Sequence, residues 1–268
     1  MRTKPFPLNY FLSVWSVRNI IRYKDILNWL QIILVLFFLN GLMMMPVSLN
    51  YNKLTSFSID QTYPGPFELL NEQFVNEIQT TSVLNGRLTS KETFIEKNNR
   101  GVVGINMNEK QLKEALEKEQ AFVLQQNEII IKDREKPVEK VYYPKEFSFE
   151  HIDTIEDVKK VISNLWFMQN KVYIIGTLLF VSFTILLSSL LLIVTGCALF
   201  LYISKRTTSI QNFKEAMNLI LNCLAIPTVL AMVVGLFHFN IMTMMIIQMI
   251  GFLILLVYVF FNMQIHHS

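Results

Sequence analysis

Long uncharged apolar runs alternate with a single charged stretch, and the lengths of the runs set the elements. No residue between Asp25 and Lys53 carries a charge. Residues 26–49 are apolar over the ~20 positions a helix needs to cross a bilayer core, which predicts a first transmembrane helix. A second uncharged run, Val172 to Ser204, is 33 residues long. As one helix it would reach roughly 50 Å, so a span at 171–204 must tilt or project beyond the membrane. From Ala216 to Ile265, fifty residues contain neither acid nor Lys/Arg. That suits two crossings, at 216–236 and 241–265, separated where Gly235, His238 and Asn240 interrupt the Leu-, Val- and Met-rich pattern.

The charged stretch, residues 50–170, reads as a mixed fold. Phe67, Leu70, Phe74, Val75 and Ile78 form a helical stripe within 66–80. Asn85-Gly86, flanked by Val83-Leu84 and Arg87-Leu88, predicts a hairpin, because Asn-Gly suits the positive φ angles of a type I′ turn. Residues 101–106 read as a strand leading into a helix over 108–120, with Asn108 and Gln111 as a capping box. Two apolar runs, 121–125 and 128–132, predict a second hairpin around Gln126-Asn127, and 137–143 adds an edge strand. A helix from Asp153 or Thr154 onward, with Ile155, Val158, Val161, Ile162, Leu165 and Trp166 on its apolar face, runs into the second span without an intervening Pro or Gly before Gly176. The fold class is therefore an α-helical membrane protein with four transmembrane helices and a small α+β extracytoplasmic domain inserted between helices 1 and 2.

Charge sets the expected orientation. Arg2, Lys4, Arg18, Arg22 and Lys24 precede the first span, and Lys205, Arg206 and Lys214 lie in the loop 205–215, so both are expected in the cytoplasm. The stretch from Lys53 to Lys160 holds 19 of the 21 acids and is net −4, against +7 elsewhere. Both termini are thus expected inside and 50–170 outside. The first span is expected to stay as an anchor, since Met45-Pro46-Val47-Ser48 lacks an Ala-x-Ala cleavage pattern. The segment 1–25 carries Leu8, Phe11, Leu12 and Trp15 at helical spacing with Arg18 and Arg22 on a neighbouring face. This is an amphipathic helix at the inner leaflet, serving as anchor or as a docking element. Cys197 and Cys223 both fall in spans, leaving the insert without a disulfide.

Candidate chemistry is sparse. The histidines, 151, 238, 266 and 267, have no metal-ligand spacing, and no G-x-S-x-G, P-loop or dinucleotide-binding pattern occurs. Mixed Glu/Lys runs such as 109–119 and 133–139 read as solvated faces rather than acid/base pairs. Tyr142-Tyr143 with Phe147 and Phe149 could stack on sugar rings, though packing on a sheet face is the commoner use. No span has a central Asp, Glu, Lys or Arg to mark an ion path. The spans offer polar packing instead: Thr177, Ser182, Thr184, Ser188, Ser189 and Thr195 in the second, Asn222 in the third and Gln248 in the fourth. These bond within the chain or to a partner. No catalytic, cofactor-binding or metal-binding residue is assigned, and a nucleic-acid partner is not expected.

The segment from Leu8 to Lys24 before a lone span, the Asn85-Gly86 hairpin, Gly101-Val102-Val103-Gly104-Ile105-Asn106, the 128–133 strand and the last three spans together carry a resemblance. In this layout the chain resembles a family of uncharacterised Firmicute four-span membrane proteins that includes the maltodextrin-utilisation membrane protein. The resemblance implies a Gram-positive plasma membrane and a non-enzymatic accessory or regulatory role in maltodextrin uptake. The implied partners are the lipid bilayer and a membrane protein such as an ABC sugar transporter permease. The alternative is a membrane-anchored sensor whose outer domain binds a ligand and signals through the helix leading into span 2.

Overall fold

The computed structural model describes residues 5–90, 92–149, 152–204 and 210–265. In chain order its elements are α1 (Leu8–Val14), α2 (Val17–Arg22), α3 (Trp29–Asn52), a 3₁₀ turn (Ile59–Gln61), α4 (Pro64–Glu68) and α5 (Glu72–Gln79). Strands β1 (Ser82–Leu84), β2 (Arg87–Thr89), β3 (Phe94–Lys97) and β4 (Gly101–Ile105) follow, then α6 (Glu109–Glu117). Strands β5 (Gln120–Leu124), β6 (Glu128–Asp133) and β7 (Glu139–Tyr142) precede α7 (Ile155–Ile203), α8 (Phe213–Phe237) and α9 (Ile241–Ile265). The chain divides into two compact units, one of residues 1–53 with 175–268, the other of residues 54–174.

The first unit is helical. Helices α3, α7, α8 and α9 are long and apolar enough to cross a membrane. Asn28 starts α3 with a capping box: its Oδ1 accepts the Gln31 N–H at 2.9 Å, and Gln31 Oε1 accepts the Asn28 N–H at 3.0 Å. Asn212 caps α8 on one side only, its Oδ1 accepting the Glu215 N–H at 2.9 Å. Asn240 starts α9 by accepting the Thr243 N–H at 3.0 Å, so Gly235 to Asn240 does hold the break between the last two helices. The outward faces carry Phe37, Phe180, Leu192, Ile254 and Phe261, all exposed. Apolar faces turned outward on helices of this length are what a hydrocarbon solvent requires, while polar groups must bond internally. Some do so here: Gln248 Nε2 donates to Thr228 Oγ1 at 2.7 Å, and the Tyr51 and Ser182 hydroxyls meet at 3.1 Å, whereas the Asn40 amide on α3 is buried without a hydrogen-bond partner. Gln248 is thus spent within the chain.

The second unit is a five-stranded sheet in the order β3-β4-β5-β6-β7 with a separate β1-β2 hairpin. Strands β4 and β5 run parallel, joined by α6, and the remaining pairs are antiparallel. Side chains alternate across the sheet. On one face Val102, Ala121, Val123 and Ile130 pack with Ala115 of α6. On the other, Phe122 meets Phe67 of α4 and Phe74 of α5, with ring centroids 5.4 and 5.6 Å apart. Covering on both faces explains why β4 and β5 are apolar without alternation. The capping box of α6 forms as predicted, with Asn108 and Gln111 exchanging bonds of 2.9 and 3.0 Å. At the predicted hairpin turn Asn85 and Gly86 have φ of 53° and 75°, both positive as a type I′ turn demands. The stripe over 66–80 resolves into two helices, because the Asn71 side chain accepts the Phe74 N–H and starts α5 anew. Strand β3, absent from the sequence reading, pairs antiparallel with β4.

Candidate functional site

Two surfaces of the second unit and one of the first hold side chains whose arrangement exceeds plain packing. The first lies along the free edge of β7. An edge strand presents unpaired backbone groups that must be covered. Gln169, on α7, covers them: its Oε1 accepts the Tyr142 N–H at 3.0 Å and its Nε2 donates to the Tyr142 carbonyl at 2.7 Å. One turn away, Trp166 Nε1 donates to Glu139 Oε1 at 2.7 Å, and Asn170 Nδ2 reaches the same oxygen at 3.3 Å. Lys140 pairs with Glu128 on β6 at 2.7 Å, and that hydrogen bond raises the Lys140 pKa above its ordinary 10.5.

A shallow groove of about 540 Å³ opens here, lined by Lys140, Tyr142, Tyr143, Pro144, Gln169 and Asn170. Strand alternation separates the two tyrosines. Tyr142 is exposed, whereas Tyr143 is buried in a cluster with Phe147 and Phe149, at centroid distances of 5.7 and 6.1 Å. Burial pushes the Tyr143 phenol pKa well up. Of the aromatic set singled out for sugar stacking, Tyr142 is the exposed ring, set among amides and an ammonium. An apolar ring face with convergent polar groups suits a polyhydroxylated ligand.

The second surface is a charged cleft of about 1150 Å³ bordered by Gly65, Glu68, Gln120, Asp133 and Lys136. Gln120 and Asp133 are opposed in register across β5 and β6, and both are buried. Gly65 lies directly on them: a Cβ there would fall 2.6 Å from Asp133 Oδ1 and closer still to the Gln120 amide. Lys136 Nζ stands 3.5 Å from Asp133 Oδ2, donates to the Thr62 carbonyl and lies 5.4 Å above the Tyr63 ring. Asp133 therefore departs from the solvated face read for 133–139. This cleft holds charges of both signs already engaged with one another, and Gln120 Oε1 is buried without a partner.

The third surface is where the N-terminal helices meet α8. The predicted stripe of Leu8, Phe11, Leu12 and Trp15 is present, but α1 ends at Val14 and α2 restarts after Ser16, whose hydroxyl accepts the Asn19 N–H at 3.3 Å. The stripe points outward, with Trp15 77% exposed, while Asn9, Tyr10 and Ser13 point in. Ser13 Oγ bonds Asn222 Oδ1 at 2.9 Å and Tyr10 Oη donates to the Leu221 carbonyl at 3.3 Å. Lower down, Lys24 pairs with Glu215 and Lys214 with Asp25, at 3.5 and 2.6 Å, and Asn218 Nδ2 donates to the Leu27 carbonyl at 3.2 Å. Asn222, foreseen as a packing residue, thus bonds within the chain. His151, His266, His267, Lys205 and Arg206 lie outside the described residues.

Residues 11–263 match the family model described as "Protein of unknown function (DUF1189)", nearly the whole chain. The chain belongs to the DUF1189 family. It is 27% identical over 261 residues to the maltodextrose utilization protein MalA of Streptococcus pneumoniae, covering 96% of each chain. It is also 25% identical over 270 residues to YvdJ of Bacillus subtilis, named for maltodextrin utilization, covering 97% of this chain and 90% of that one. No solved structure matches the chain. The DUF1189 match starts at Phe11, so of the α1 face that docks on α8 it includes Ser13 but neither Asn9 nor Tyr10. That docking had no signal in the apolar periodicity, because the residues that make it are the polar ones between the stripe positions.

Proposed function

We propose that this chain is a non-enzymatic accessory or regulatory integral membrane protein of maltodextrin utilisation. It sits in a bacterial plasma membrane and acts through contacts with a carbohydrate transporter permease. The observation that carries the reading is likeness along 96% and 97% of the chain to two proteins named for maltodextrose or maltodextrin utilization, joined to four helices able to cross a membrane. The basic residues before α3 and α8 support cytoplasmic termini, with residues 50–170 outside. The starts of those two helices lie at the same end of the helical unit, as the Lys214–Asp25 and Lys24–Glu215 pairs and the Trp29–Phe213 ring contact at 6.4 Å indicate. The non-enzymatic part rests on the sequence, in which no catalytic motif stands. Affinity purification of the tagged chain in mild detergent tests the proposal. Permease subunits recovered in stoichiometric amount support it; a chain isolated alone under conditions that keep the transporter assembled removes the transporter from the reading.

A second reading, a ligand sensor signalling through α7, draws on the β7 edge, where Tyr142 is exposed and held by Gln169 of α7 itself. Trp166, bonded to Glu139 in the same place, supplies an optical probe. Maltodextrin added to the full chain in detergent should shift tryptophan emission saturably, and Tyr142→Ala should abolish the shift. A flat titration of the unaltered chain ends this second reading.

A further inference from the structure

The cleft beside Gly65 is floored by two polar side chains that the sheet buries. Gln120, at the start of β5, and Asp133, at the end of β6, are opposed in register and each 4% exposed. By strand alternation they share the sheet face of Phe122, against which α4 packs through Phe67. A sheet position covered by a helix ordinarily takes an apolar side chain, because a buried polar group without a partner is costly. Gln120 Oε1 has no hydrogen-bond partner among the described residues. Asp133 Oδ2 meets Lys136 Nζ at 3.5 Å, looser than the ~2.7–2.9 Å of a charge-assisted hydrogen bond, so the carboxylate keeps acceptor capacity. The Thr62 carbonyl and the Tyr63 ring fix the Lys136 ammonium there. Glycine at position 65 lets the first turn of α4 close one side of the cleft directly against the pair.

The walls select among guests. The cleft, about 1150 Å³, slightly exceeds the ~300–1,000 Å³ of ordinary ligand sites. Its apolar side chains are Pro64 and Pro137, too little surface for a hydrocarbon guest. Around the exposed rim Glu117, Glu119 and Glu135 stand among Lys118 and Arg134, so a strongly charged guest of either sign meets like charge. A neutral, hydroxyl-rich guest suits both signs. Each of its hydroxyls offers one proton to a carboxylate and two lone pairs to an ammonium, a guanidinium or an amide N–H. We propose that this cleft binds a neutral oligosaccharide, with Asp133 accepting from its hydroxyls while Lys136 and the Gln120 amide complete the floor. The terminal torsion of Gln120 is soft, which lets Oε1 turn to accept from a ligand hydroxyl. The choice of a glucan among neutral oligosaccharides rests on the reading of the chain as a protein of maltodextrin utilisation.

A reporter on the cleft tests this in the full chain in mild detergent. In a background of Cys197→Ala and Cys223→Ala, an environment-sensitive fluorophore is attached at Glu117→Cys on the rim and titrated with maltotriose. Emission should change saturably, and neither spermidine nor inositol hexakisphosphate, probes of opposite charge, should compete. Asp133→Asn should lower the affinity about tenfold. Gln120→Leu, close in volume, should lower it by a similar factor without lowering the melting temperature, a combination that a purely structural glutamine would not give. Tyr142→Ala, at the separate β7 edge, should leave the response intact. An absent or unsaturable response to maltotriose overturns the proposal. So do unchanged affinity in both Asp133→Asn and Gln120→Leu, competition by either charged probe, or loss of the response in Tyr142→Ala alone. Failure here leaves recovery of permease subunits as a separate result, so the cleft and the transporter reading fall independently.

Discussion

At Gly65 the absence of a side chain is the structural requirement. Alanine there would drive its methyl into the buried pair of Gln120 and Asp133, so that both side chains must shift. Overpacking of this kind costs about 1–3 kcal/mol. Gly65→Ala should therefore lower the melting temperature of the chain in detergent. Gly176→Ala, at a helical position with open space around it, should leave the temperature unchanged or raise it slightly. Lys140 offers a titration. Its pKa is raised in the folded chain, so the contribution of its bond to Glu128 is fully present below the ordinary value of 10.5 and is lost as pH rises through the higher folded value. An NMR titration of the Lys140 ammonium should have its midpoint above 10.5, and Glu128→Gln should bring it down. Neither Gly65 nor Asp133 is visible from sequence periodicity. A lone acid beside Lys132 and Arg134 has the composition of a solvated face, and only the opposing strand reveals that it is buried.

Among elements, the β7 edge depends on one side chain from a helix. Gln169→Ala removes both bonds to the Tyr142 backbone, a loss of about 1–2 kcal/mol at this exposed position. Hydrogen exchange at Tyr142 should accelerate about tenfold while the β4 and β5 amides stay protected. If Tyr142 exchanges at an unchanged rate, the edge is held by strand pairing alone. Local signals made most of this unit legible. Asn-Gly placed the β1-β2 turn, Asn108 with Gln111 placed the start of α6, and continuous apolar runs placed β4, β5 and β6, since each depends on residues within a few positions. Strand β3 escaped because Phe94–Lys97 has one apolar pair between polar flanks, and its strand character comes from pairing with β4. The inward turn of Asn9, Tyr10 and Ser13 escaped for the same reason at longer range: the partner is on α8.

For the whole molecule, the charge distribution predicts opposite accessibility for the two exposed segments that flank the apolar helices. In a chain with Cys197→Ala and Cys223→Ala, a cysteine at Glu114→Cys on α6 should react with a membrane-impermeant maleimide in intact cells. One at Gln211→Cys, just before α8, should react only after permeabilisation. The reverse pattern would invert the orientation proposed from Lys and Arg. Layout at this scale was legible because uncharged runs of bilayer length leave few alternatives. The use of the molecule was less so, since Tyr142 belongs to no chemical motif.

The hydrogen bond between Ser13 and Asn222 joins residues 209 positions apart. During synthesis the first leaves the ribosome long before the second exists. Until α8 is in place, Tyr10 and Ser13 lack the Leu221 carbonyl and the Asn222 side chain that fasten α1 to the bundle. A chain truncated before Leu221 would leave the Tyr10 and Ser13 hydroxyls without their α8 partners.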